Sequence, residues 1–285
     1  MVLVGVTGFS SERLGRSRGR HGELMMKNFW ERLIKRAANL AAKQEGSGEM
    51  LAFYGKLLAA QKEIYDRLGG LRNWLPSGDL QTDLEAIRFL MPAMLATVRS
   101  NGPAPLAEQA TALSDSSATE IDNMLLSYWS DPDDKQFFAK TFLQPYARWA
   151  IDTKARPIGR EIGVAENRCP FCGGKPQLSF VMSTDQEGSG RFLLCSACLS
   201  EWNFRRLLCA SCGEQDPSKL AYYSSPDFEH VRIEGCDTCK CYFKGIDLTR
   251  LGIAVPLVDE VAAVALDIWA QERGYQKIEL NMVGL

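Results

Sequence analysis

The chain of 285 residues has only 2 histidines, and no cysteine before position 169 or after position 241. So few histidines leave no workable Ser/His/Asp set for nucleophilic catalysis. A phosphate loop and a glycine-rich dinucleotide turn are also missing, so the sequence reads as that of a non-enzyme. Neither sign of charge dominates: 33 Lys+Arg against 35 Asp+Glu give a formal net charge of −2. That balance supplies no bulk attraction to nucleic acid or to an anionic membrane. No apolar run approaches the ~20 residues of a transmembrane helix; the longest, from Val261 to Leu266, is interrupted by Asp267. The opening MVLVGVTGFSS lacks the basic region and apolar core of a signal peptide. A cytoplasmic protein without stable membrane insertion is therefore expected.

What is present is normal for a folded chain. Hydrophobic residues make up 46% and charged residues 24%, and the length suits two domains of ordinary size. Eight of the 9 cysteines form four Cys-x-x-Cys pairs: Cys169/Cys172, Cys195/Cys198, Cys209/Cys212 and Cys236/Cys239. Two thiolates at this spacing reach one ion from a tight turn, and two such turns complete a tetrahedral site with metal–sulfur bonds of roughly 2.3 Å. Reduced, metal-binding cysteines confined to one region fit a cytoplasmic protein better than a disulfide framework does.

The cysteine region is a duplication. Its halves read C-x2-C-x22-C-x2-C and C-x2-C-x23-C-x2-C, and glycine follows each opening pair at Gly173 and Gly213. Glycine there permits positive φ and lets backbone N–H groups point at the sulfurs. Between its pairs each half has room for a β-hairpin. Gln177–Met182 and Arg191–Leu194 flank a turn at 185–190, and Leu220–Tyr223 and His230–Ile233 flank Ser225–Asp227. The repeat pairs Cys169/Cys172 with Cys195/Cys198, and Cys209/Cys212 with Cys236/Cys239. Half-units of about 40 residues are too small to hold a core unaided; metal binding worth on the order of 10 kcal/mol per site supplies the difference. Chelation is expected to unfold this region and spare the preceding helices. Two ions, iron or zinc, are expected, since both accept four thiolates. A four-thiolate site leaves no open position for metal-assisted hydrolysis. Cys241 has no place in such a site and reads as a partly buried spare, with a reactive thiol as the alternative. His230 reads as an ordinary strand residue.

Before the cysteines the pattern is helical. Residues 1–22, with the Gly/Ser/Arg-rich stretch 13–20, read as a disordered tail or as a start assigned too early, with Met25 or Met26 as the true start. From 23 to 155 apolar residues recur at helical spacing, as in Trp30, Leu33, Ala37 and in Tyr54, Leu57, Leu58, Leu68. Pro92 marks a kink or a new start within 79–98, Ser117 and Glu120 form a capping box, and Asp131–Asp134 read as a helix start. The aromatic stripes read as core. Residues 156–168 read as a linker, and Pro256–Arg273 as one amphipathic helix presenting Leu257, Val261, Val264/Ala265 and Ile268/Trp269, stopped by Gly274. The expected fold class is α+β: a helical domain (23–155), two tandem rubredoxin-like or zinc-ribbon modules (169–206 and 207–250), then a C-terminal helix and tail (251–285).

The order CPFCGGKP, LLCSACLSEW, CASCG and CDTCKCYFKG, with the tail from Gly274-Tyr275 to Asn281, resembles the formate dehydrogenase accessory protein (formation protein E) family. The resemblance is specific from about 165 to 281 and general over the helices; Cys241 and residues 1–22 have no counterpart in it. It implies a cytoplasmic, rubredoxin-like, iron-associated accessory protein that contacts the catalytic subunit of formate dehydrogenase during assembly. The eight paired cysteines match the family's metal-ligand positions, and Glu201, Trp202, Asp237, Tyr242 and Lys244 match its motif without revealing their roles. Trp202, Tyr222, Tyr223 and Tyr242 are the candidate client contacts; the blander reading is that they shield the metal sites. Two other functions remain open. One is an iron redox protein acting on a client's cofactor site. The other is a zinc-ribbon nucleic-acid binder, which the 11 Lys+Arg against 12 Asp+Glu of residues 160–250 disfavour.

Overall fold

The computed structural model describes residues 28–44, 46–133, 135–153, 166–184 and 188–284. The expected tail at 1–22, the starts at Met25 and Met26, most of the linker and the first hairpin's tip fall outside the described residues. The fold is α+β. Helices α1 (Phe29–Ala41), α2 (Gly48–Gly69), α3 (Leu80–Ile87), α4 (Met91–Asn101), α5 (Ala104–Ser114), α6 (Ala118–Ser130) and α7 (Phe137–Asp152) come first. The stripes seen in sequence face inward: α1 buries Trp30, Leu33 and Ala37, and α2 buries Tyr54, Leu57, Leu58 and Leu68. Each buried leucine among them contributes about 1.5–3 kcal/mol by leaving water. A 3₁₀ turn at Arg88–Leu90 separates α3 from α4, whose first turn holds Pro92, so the proline starts a helix. The capping box of Ser117 and Glu120 is formed.

The Asp131–Asp134 helix start is corrected. Asp131 caps the end of α6, and Asp133 accepts from the Lys135 and Gln136 amides, making a turn that delays α7 to Phe137. Helix α7 is the central strut. Every side chain from Phe138 to Ala147 is buried, including Lys140, Thr141 and Gln144.

The cysteine region forms one seven-stranded sheet of β1 (Pro176–Ser183), β2 (Ser189–Cys195), β3 (Glu201–Asn203), β4 (Leu220–Ser224), β5 (Val231–Cys236), β6 (Cys241–Asp247) and β7 (Gln276–Lys277). The order is β3-β2-β1-β6-β5-β4, with β7 also on β6. Both expected hairpins are present as β1–β2 and β4–β5. The sequence did not reveal β6 or its parallel pairing with β1 (Leu178 opposite Lys244), which fuses the two ribbons.

The expected single C-terminal helix is two: α8 (Pro256–Ala262) and α9 (Val264–Glu272), broken at Ala263. The cause is Lys244, which rises from β6 and donates to the carbonyls of Glu260 and Ala263. The break turns the apolar face, so Ala265 and Ile268 point to solvent while Leu266, Asp267 and Ala270 turn inward. Lys244, Lys277, Glu260 and Asp267 then form a fully buried set of two cations and two anions. Gly274 (φ +77°) ends α9, with Gly274 N–H on the Gln271 carbonyl and Tyr275 N–H on that of Ala270. Asp259 of α8 accepts from Arg36 Nε of α1 at 2.9 Å and contacts His230 Nε2 at 2.9 Å, tying three parts of the chain together. The strand placement of His230 is corrected: it lies in the turn just before β5, as a junction residue, and sits in neither cysteine cluster. Among the described residues no helix is long and apolar enough to cross a membrane.

Candidate metal centres

Each Cys-x-x-Cys pair sits in a tight turn, and the duplication holds atom by atom. Cys169 N–H donates to the Gly174 carbonyl at 2.9 Å and Gly173 N–H to the Cys169 carbonyl at 2.8 Å. The same bonds recur as Cys209 to Glu214 at 2.8 Å and Gly213 to Cys209 at 3.1 Å. Gly173 and Gly213 adopt φ of +71° and +78°, the left-handed geometry that lets each turn close without a Cβ penalty. The closing turns use Leu199 (φ +56°) and Lys240 (φ +54°) for the same purpose, positions with no glycine to betray them. The expected amide-to-sulfur bond forms in the opening turn of the second half, where Ser211 N–H reaches Cys209 Sγ at 3.3 Å; in the first half a closing turn without glycine supplies one, Ala197 N–H reaching Cys195 Sγ at 3.4 Å.

The sulfurs of Cys169, Cys172, Cys195 and Cys198 lie within 4.8 Å of one another, and so do those of Cys209, Cys212, Cys236 and Cys239. The spacing decides between disulfides and metal. Cross-turn separations are 3.6 and 3.4 Å in the first set and 3.8 Å for both pairs in the second. A disulfide needs about 2.05 Å; a tetrahedron of ~2.3 Å metal–sulfur bonds has edges of ~3.8 Å. None of the nine cysteines is in a disulfide, and both sets could hold a four-thiolate ion, which fits iron and zinc alike. Burial pushes the Cys195 and Cys198 thiols well up, and hydrogen bonds with Cys169 and Cys172 add to it. A cation placed between these two sulfurs would offset that cost and favour their thiolates.

The two sets differ in their surroundings. The first lies in the helical core. Gln144 Nε2 of α7 donates to the Ser196 carbonyl at 2.8 Å, Arg148 reaches the Leu199 carbonyl at 3.0 Å, and the four cysteines share one apolar cluster with Tyr128, Trp129 and Phe138. The second lies at the outer end of the sheet, with Cys212 exposed and Cys239 partly so. Cys241 belongs to neither set; its thiol donates to the Cys239 carbonyl at 3.6 Å, half-buried as a spare.

The motif residues now have surroundings. Asp237, inside the last turn, accepts from the Tyr275 hydroxyl at 2.8 Å and from Lys240 at 2.6 Å, so the tail grips the second site. Lys244 breaks the C-terminal helix, as described above. Glu201 is exposed at the start of β3, paired with Leu194. Trp202 is half-buried, its indole N–H donating to the Glu166 carbonyl at 2.9 Å. Tyr222 is exposed beneath Arg232, and Tyr223 packs on Trp269 at 4.7 Å. Tyr242 is corrected: it has no exposed surface and donates to Asp267 at 2.9 Å, so it is no surface contact. Tyr242 packs into one core cluster and its neighbour Phe243 into another, so both faces of the strand are covered.

Residues 168–206 match the family description "FdhE, central domain", and residues 207–283 match "FdhE, C-terminal domain". A "Protein FdhE homolog" of Aquifex aeolicus is 30% identical over 268 residues, covering 88% of this chain and 94% of its own. One from Haemophilus influenzae is 27% identical over 277 residues, covering 90% and 88%. The crystal structure of the FdhE protein from Pseudomonas aeruginosa superposes with a TM-score of 0.68 at 23% identity, over 90% of this chain and 96% of that one. At that identity the superposition speaks to the fold alone.

Proposed function

The chain belongs to the FdhE family, and on that premise we propose that it is a cytoplasmic accessory protein, not an enzyme, that binds the catalytic subunit of formate dehydrogenase and assists its assembly. The observation that carries this reading is similarity along nearly the whole length of a family member, joined to two sets of four cysteines in metal-ready geometry. A client surface built on such a frame loses little entropy on binding, because the sheet is already fixed. Exposed Tyr222 and half-buried Trp202 stand on that sheet as contacts. The test is anaerobic co-purification. The tagged chain should recover a formate dehydrogenase catalytic subunit, and the Cys169→Ala/Cys172→Ala variant should not. Recovery of no such subunit from cells that make it would sink the reading. Full binding by Trp202→Ala with metal retained would remove that residue from the contact surface.

A second reading is favoured by the amide-to-sulfur hydrogen bond in one turn of each cysteine set. Such bonds tune the potential of a four-thiolate iron, which can carry one electron. In that reading the protein is a redox partner for the client's cofactor site. A coloured protein with a reversible one-electron wave supports it. A colourless zinc protein fully active in assembly ends it.

A further inference from the structure

We propose that the two centres divide labour: the first is a sealed clamp, and the second is the exchange site through which a thiolate or chelating group from outside reaches the metal. This rests on reading both cysteine sets as metal centres, and not on the identity of the client.

Three independent features carry it. Access comes first. Cys169, Cys172, Cys195 and Cys198 each have 0% exposure, whereas Cys212 is exposed and Cys239 partly exposed. A cleft of about 390 Å³ lined by Trp129, Arg168, Lys175 and Cys172 itself reaches the first turn, yet Cys172 keeps 0% exposure.

The second feature is packing around the turns. A Cβ on Gly174 would stand 2.9 Å from Cys195 Sγ and 3.3 Å from the Ala197 Cβ, so the first turn is closed directly onto its partner's sulfur. The equivalent residue of the second turn is Glu214, which instead accepts from Thr238 Oγ1 at 2.7 Å at the rim. Residues 212, 213 and 215–219 beside it are all exposed.

The third is the cost of opening. Opening the first set on its α7 side parts that helix from the 195–199 turn. That breaks the Gln144–Ser196 and Arg148–Leu199 hydrogen bonds and wets a shared apolar core. The second set needs no such separation, because among the described residues its cysteines belong to no shared core cluster, although the flanking Leu208 and Ala210 do. Sites that exchange open with the least free energy, and their shell sets solvent access. The soft-ligand character of the site suits an incoming thiolate.

The test uses the full chain loaded with zinc and mixed with excess chromogenic zinc chelator. Two equivalents should leave in two phases of equal size, the first at least about tenfold faster, as cheaper local opening requires. Cys212→Ser should abolish the fast phase and keep the slow one; Cys198→Ser should do the reverse. Should either variant fail to fold, pulse alkylation of the unaltered protein with mass spectrometry decides. After the fast phase Cys209, Cys212, Cys236 and Cys239 should carry label, and Cys169, Cys172, Cys195 and Cys198 should not. A single phase, simultaneous labelling of all eight, or labelling of the first set ahead of the second overturns the division. A chain that takes up neither zinc nor iron overturns the metal reading itself, a distinct outcome.

Discussion

The side-chain amide of Gln61 on α2 donates to the backbone carbonyl of Thr141 on α7 at 2.8 Å, and that carbonyl is the one Pro145 leaves without its helical donor. A proline inside a helix removes the N–H that would serve the carbonyl four residues earlier. Here a side chain from another helix replaces it. Gln61 also donates to Gln144 Oε1 at 3.0 Å, and Gln144 in turn holds the Ser196 carbonyl. A helix defect and a cysteine-bearing turn are thus joined by two glutamines.

Replacing Gln61 with Leu should therefore cost about 1–3 kcal/mol, the penalty for a buried acceptor left unsatisfied. Pro145→Ala returns an N–H to Thr141 and should recover part of that loss in the double variant. Urea unfolding of the four proteins forms the cycle. Strict additivity would mean that Gln61 and Pro145 are not linked through Thr141.

The Tyr275 hydroxyl on Asp237 predicts a local effect at the second centre. Hydrogen bonds from Lys240 and then Tyr275 hold the Asp237 carboxyl below its usual range. Tyr275→Phe keeps the ring and removes one donor. Stability should fall by about 1 kcal/mol, and metal loss from Cys209, Cys212, Cys236 and Cys239 should quicken while the first set keeps its rate. Chelator kinetics on the variant check this; acceleration at both sites would show a global loosening instead.

Removal of both ions should separate the molecule by protection. Each ion is worth on the order of 10 kcal/mol to a half that has little core of its own. Amides in β1, β2, β4, β5 and β6 should lose hydrogen-exchange protection on chelation. Those of α2 and α4, held by Leu57, Ile64, Met94 and Leu95, should keep theirs. Helix α7 should fall between, because the 195–199 turn supplies part of its cover. Collapse of α2 together with the sheet would contradict this order.

The sequence carried the cysteine pairing because that signal is local and written twice. The helices were legible for the same reason, since Trp30, Leu33 and Ala37 repeat a period that any helix must show. Features set by distant partners were not. Strand β6 has no alternating pattern because it is central, burying Tyr242 and Phe243 on opposite faces and a lysine among them. Ala263 is a good helix former, and nothing near it foretells a break that Lys244 imposes from nineteen residues away. The motif residues stood out as letters, but their partners Tyr275, Asp267 and Glu260 could be named only once the chain was folded.

Lys244 also yields the sharpest prediction about acid stability. With Lys277 it faces Glu260 and Asp267 in a space with no exposed surface. Removing one member strands a buried charge, so Lys244→Met should destabilise by about 3–5 kcal/mol. Burial alone would raise the Glu260 carboxyl, but Lys244 and Lys277 override it and hold it down to about 2. Its folded value therefore lies below the ~4.3 of an unfolded glutamate. The unfolded state takes up the proton first, so this stabilisation is complete above that range and is lost as pH falls toward about 2. Urea unfolding from pH 6 down to pH 2 should thus show a steep decline in the unaltered chain. Glu260→Gln has no such proton to bind, and its decline should be shallower from a lower starting stability. Parallel curves for the two proteins would mean that the lysines do not hold Glu260 ionised.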